Sequence, residues 1–110
     1  MQGLQKEIKN TFFQTLEDLK TKENFELFFG DLLDQNELQK LYKRVAISYW
    51  LKKGRNPENI KNNIGVTSKE IKSVASKINK PGYKLALKLM EAEEWANVWS
   101  EKIKSFAARK

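Results

Sequence analysis

A chain of 110 residues, with 40% hydrophobic and 32% charged side chains, is sized for one soluble globular domain around a single core. It has neither cysteine nor histidine, which excludes disulfide frameworks, ordinary zinc or iron–sulfur sites, and histidine-dependent acid–base or nucleophilic catalysis. The formal charge is +7, and ten lysines or arginines between Lys52 and Lys88 face only Glu58 and Glu70, so that stretch holds +8 and the remainder −1.

The apolar positions Leu4, Ile8, Phe12, Phe13, Leu16 and Leu19 recur at the spacing of an amphipathic helix over residues 4–19. Thr21 is placed to cap a second helix over about 22–33, with Glu23 at the favourable end of its dipole. Its Phe25, Phe28 and Phe29 predict heavy burial. Asp34 followed by Glu37 has the form of a capping box. It starts a third helix to about residue 53, carrying Leu38, Leu41, Tyr42, Val45, Ala46, Tyr49 and Trp50. Gly54 suits the position past its end, with Lys52, Lys53 and Arg55 near the negative pole of its dipole.

Residues 56–79 read as two short helices about a tight turn. Asn56 and Pro57 are N-cap and first residue of one helix, and Thr67 or Ser68 caps the next. Gly65 between them can take positive φ without steric cost. Ile60 and Ile64 share one helical face, Ile71, Val74, Ala75 and Ile78 another, and Val66 lies in the turn. This is the pattern of a helix-turn-helix, whose second helix can enter a DNA major groove. The sequence Asn79-Lys80-Pro81-Gly82 breaks the chain before a last helix over about 83–108. Along it Leu85, Leu89, Ala92, Ala96, Trp99, Ile103 and Phe106 form a heptad-like stripe, and Leu87, Met90, Glu94, Trp95 and Val98 form a second that widens the face. The pattern suits either a coiled-coil seam or an amphipathic helix packed over its own domain. The predicted fold is all-α, with about six helices and no strand. It is a single domain of N-terminal helices (1–53, core and dimer interface), helix-turn-helix (56–79) and C-terminal helix (83–108).

A charge excess that tracks a motif points to a polyanionic partner, here double-stranded DNA. With Ile71, Val74 and Ile78 inward, the base-facing candidates are Ser68, Lys69, Lys72, Ser73 and Ser76. The phosphate candidates are Lys53, Arg55, Asn59, Lys61, Lys77, Lys80 and Lys84, with Asn62 or Asn63 near the turn. The bland alternative for such lysines is a solvated helix face, and for Arg44 an ion pair with Asp34 or Glu37.

Two segments resemble the Trp repressor superfamily, in particular a short bacterial branch of it. Residues 19–38, LKTKENFELFFGDLLDQNEL, resemble that branch's helix ending in phenylalanine pairs, then an aspartate-leucine and a glutamate-leucine. Residues 41–78 resemble it in Arg44-Val45, in Gly54 and in the run IKNNIG at 60–65, where Lys61 matches a family lysine at a position that is alanine in most helix-turn-helix proteins. Tyr83-Lys84-Leu85 after a glycine adds to the match, which covers roughly residues 19–87. The resemblance implies an intertwined all-helical homodimer on a two-fold-symmetric operator. In the family two arginines sandwich a bound indole. The first matches Arg44, a candidate effector contact, whereas the second falls on Ser73. Half of the sandwich is missing, so tryptophan is not implied as co-repressor; another small-molecule effector or none is equally open, and no resident cofactor is expected.

The resulting expectation is a cytoplasmic, repressor-like transcriptional regulator, not an enzyme, acting as a homodimer. No apolar run approaches the roughly 18 residues of a membrane span, and the N-terminus lacks a signal-peptide core. The alternative is a helical interaction module that recruits a partner through the C-terminal stripe.

Overall fold

A computed structural model describes residues 2–92. Among them are six α-helices and no strand: α1 (Gln2–Leu19), α2 (Lys22–Leu32), α3 (Gln35–Lys52), α4 (Pro57–Ile64), α5 (Ser68–Ala75) and α6 (Pro81–Ala92). The expected all-α architecture is therefore the observed one. The chain divides into two compact units, residues 1–39 and 40–110.

In the first unit the caps form as their residue types require. The Thr21 hydroxyl accepts from the Asn24 N–H at 3.1 Å. The Asp34 N–H donates to Glu37 Oε1 at 3.0 Å and the Glu37 N–H donates back to Asp34 Oδ1 at 2.8 Å, a reciprocal capping box. Phe12 of α1 lies 6.2 Å from Phe28 of α2, ring centroid to centroid, and Phe28 meets Phe29 edge-on at 5.2 Å. The expected heavy burial of the phenylalanines is not found in the single chain. Neither α1 nor α2 holds a buried residue, because two helices alone cannot enclose side chains that project to several sides.

The second unit has a core. Ile47, Tyr49 and Trp50 of α3, Ile60 of α4, Val66 of the turn, Ile71 and Val74 of α5, and Leu87 and Met90 of α6 form one buried cluster. Arg55 tightens the α3–α4 connection: its N–H donates to the Trp50 carbonyl at 3.0 Å, and its guanidinium lies 4.7 Å from the Trp50 ring centroid. Asn56 caps α4 with Pro57 in its first turn. Gly65 ends that helix in the left-handed conformation, φ 64°, its N–H bonded to the Lys61 carbonyl. A Cβ at Gly65 would meet nothing within 4 Å, so the cost of adding one is conformational alone. Gly65→Ala is expected to destabilise the unit by about 1–2 kcal/mol in a denaturant melt.

α5 stops at Ala75 rather than running to Ile78: beyond it the Lys77 N–H bonds the Val74 carbonyl and the Lys80 N–H the Lys77 carbonyl, three-residue spacings that tighten the chain into turns. Ala75 is exposed, not inward. Pro81 and Gly82 open α6 instead of separating helices, as proline's fixed φ suits a first helical turn. Of the two stripes on the last helix, Leu87 and Met90 enter the core. Leu85 and Leu89, from the heptad-like stripe, are 59% and 58% exposed. The positions of both stripes beyond Ala92 lie outside the described residues.

Candidate nucleic-acid interface

α4, the turn at Gly65 and α5 make the expected helix-turn-helix, held from beneath by Ile60, Val66, Ile71 and Val74. The entry to α5 is fastened by a full capping box. The Thr67 hydroxyl accepts from the Glu70 N–H at 3.1 Å, and Glu70 Oε1 accepts from the Thr67 N–H at 2.9 Å. The Thr67 backbone N–H lowers the Glu70 carboxyl below its ordinary value, desolvation opposes it, and the Thr67 hydroxyl and the nearby Lys43 and Lys40 lower it further. A lowered folded-state value means that the unfolded chain takes up the proton more readily. The stability from this group is therefore present above the ordinary glutamate range and lost as pH falls through the lowered folded-state value. Thr67→Ala is expected to cost about 1 kcal/mol. Glu70→Gln should flatten the acid side of a stability–pH curve measured by denaturant melts, and an unchanged acid limb would contradict the capping role.

With Ile71 and Val74 buried, Ser68, Lys69, Lys72, Ser73 and Ser76 are all exposed. The Ser76 hydroxyl donates to the Ser73 carbonyl at 2.8 Å, leaving its lone pairs to accept. Among the phosphate candidates, Lys53, Lys61, Lys77, Lys80 and Lys84 are exposed, and Arg55 and Asn59 are half-buried. The two half-buried groups hold each other, Arg55 Nη1 donating to Asn59 Oδ1 at 3.0 Å. With its ring contact to Trp50, Arg55 is a fixed cation at the head of α4. Lys53 Nζ lies over the Tyr49 ring, 5.5 Å from its centroid. Asn62 and Asn63 are exposed, and Asn63 Nδ2 donates to the Asn59 carbonyl. Among the described residues the one ion pair is Lys22–Glu26, so no described cation of the second unit is paired with a described acid.

Arg44, Lys69 and Ser73 come together in a pocket of about 470 Å³ between α3 and α5. Lys40 and Lys43 complete it, and neither stands out in a reading of the sequence by segment. The signal was their spacing: Lys40, Lys43, Arg44 and Ile47 share one face of α3, and the burial of Ile47 turns that face toward α5. Lys84 lines a separate groove with Lys52 and Lys88. Lys80 and Arg44 flank an open apolar groove of about 570 Å³ between α3 and the start of α6.

Among the described residues no helix is long and apolar enough to cross a membrane, and no cluster of acidic side chains is arranged to hold a metal ion. Compared with known proteins, the chain matches no curated protein and no solved structure. It does match one family description, Trp repressor protein, over residues 7–91. That span takes in the helix-turn-helix and the basic pocket and reaches into both units, and the all-helical architecture agrees with it. The chain belongs to the Trp repressor protein family, whose members are helix-turn-helix DNA-binding regulators rather than enzymes.

Proposed function

We propose that this chain is a sequence-specific, repressor-like transcriptional regulator. It acts as a homodimer that places its two α5 helices in successive major grooves, about one helical turn of DNA apart. The observation that carries this reading is α5 itself. Its apolar side is sealed into the core, while Ser68, Lys69, Lys72, Ser73 and Ser76 all stay exposed in a stretch bearing +8. Lys69 and Lys72 donate to guanine edges, and the serines accept or donate according to the base. Lys53, Lys61, Lys77, Lys80 and Lys84 meet phosphates, with Arg55 and Asn59 as a preset pair at the head of α4. The α5 surface has no arginine, asparagine or glutamine for bidentate readout, so phosphate contacts supply most of the affinity and DNA shape much of the preference. No resident cofactor is needed, Arg44 contacts any small effector, and the working compartment is the cytoplasm.

The test is titration of the full chain against random and genome-selected DNA across salt concentrations. Regulation of this kind requires tighter binding to selected fragments and a log–log salt slope of about −0.9 for each neutralised phosphate. Exposed Leu85 and Leu89 on α6 favour a second reading, an interaction module that docks a partner helix. Absent or salt-insensitive DNA binding would decide for that one.

A further inference from the structure

The pocket between α3 and α5 is unlike an indole sandwich in its charge. Four cations line it, Lys40, Lys43, Arg44 and Lys69, against a single carboxylate, Glu70. That carboxylate is folded back onto the Thr67 N–H and also feels Lys43 and Lys40, so it offsets one charge of the four and no more. The floor is Ile47 and Val74, both buried, and Ser73 supplies a hydroxyl on α5 at the wall. A concave site with a local surplus of three positive charges favours a ligand that returns several negative ones. A zwitterionic amino acid, with no net charge, leaves that surplus unanswered.

We propose that this pocket binds a small multivalent anion, a phosphate ester or polycarboxylate with at least two negative charges, and that its binding opposes DNA binding. The second half follows because Lys69 serves both the pocket and the exposed face of α5. An anion seated there neutralises the potential that draws DNA phosphates to the N-terminal end of the helix, and by linkage DNA weakens the anion to the same degree. This second half rests on the DNA-binding reading above; the first does not.

The experiment has two arms. In the first, the full chain without DNA is titrated by calorimetry with inorganic pyrophosphate, with citrate, and with L-tryptophan, at constant ionic strength. Saturable binding of pyrophosphate or citrate at one site per chain, with L-tryptophan weaker, is expected. Lys40→Gln/Lys43→Gln should weaken that binding by about tenfold or more, whereas Lys6→Gln/Lys9→Gln, the same charge loss in the first unit, should leave it unchanged. Ser73→Glu, which puts a carboxylate into the wall, should abolish it, and circular dichroism confirms that each variant is folded. No saturable binding, or equal losses in the two lysine pairs, overturns the proposal. In the second arm the bound anion should lower DNA affinity more than chloride of equal ionic strength. If the anions never bind and Lys40→Gln/Lys43→Gln weakens DNA binding alone, the cations are contacts for backbone phosphate and the small-ligand site is refuted. Failure of DNA binding in the unmodified chain is a separate result, and the first arm still reads the pocket.

Discussion

Lys69→Ala/Lys72→Ala is expected to lower DNA affinity by about 10- to 100-fold, while Lys6→Ala/Lys9→Ala, with the same change in net charge, changes it little. Both lysines of the first pair are exposed on α5, one turn apart on a helix whose other side is fixed by Ile71 and Val74. A lost contact to a base edge is worth about 1–3 kcal/mol of discrimination, and a lost phosphate contact weakens all sequences alike. Fluorescence anisotropy on a selected fragment and on random DNA, over a range of salt, separates these. If Lys69 and Lys72 read bases, the preference between the two DNAs shrinks and the salt slope hardly moves. If they meet phosphates, the slope flattens by about 0.9 per lysine and the preference stays. Equal losses from the two pairs would mean that the chain's overall charge, not α5, holds the DNA.

The helix-turn-helix was legible because its boundaries are set by local chemistry. Asn56 and Pro57, Gly65, and Thr67 with Glu70 each solve a backbone problem within four residues, and each does so as its residue type requires. The same holds for Thr21 and for Asp34 with Glu37. Periodicity was a weaker guide where a helix is apolar on more than one side. It could not tell whether Leu85 and Leu89 or Leu87 and Met90 of α6 would meet the core, since both sets recur at helical spacing and only the tertiary packing chooses between them. Ile78 keeps the i+4 spacing from Val74 and packs against the core, yet it does so from a turn, because packing position and backbone conformation are separable. The pocket was the least legible part. Arg44 and Ser73 drew notice through a family resemblance, but Lys40 and Lys43 are ordinary lysines until α3 lies against the entry to α5 and places them beside Glu70.

The largest effect on assembly is expected from Ile8→Glu/Phe13→Glu in α1. These side chains are 60% and 55% exposed in the single chain, and Leu4, Leu27 and Leu32 of the same unit are each at least 60% exposed. Fully burying one such side chain is worth about 1.5–3 kcal/mol, so the proposed second copy would have to bury several of them to offset an association cost of roughly 4–15 kcal/mol. Glutamate suits an exposed helix position, so the two substitutions cost the isolated chain little. In a dimer they put two carboxylates per chain into an apolar contact, where an unpaired charge is strongly unfavourable. Sedimentation velocity should show the unmodified protein as a dimer and the variant as a monomer with unchanged helical circular dichroism. Losing the dimer removes the simultaneous engagement of two half-sites, which contributes about 10²-fold or more when two modules are joined. DNA affinity for a two-fold-symmetric site should then fall to that of a single half-site. A variant that remains dimeric would mean that copies meet elsewhere, with the exposed Leu85 and Leu89 of α6 the next surface to substitute. A variant that is monomeric but binds the symmetric site undiminished would show that each chain reads DNA alone.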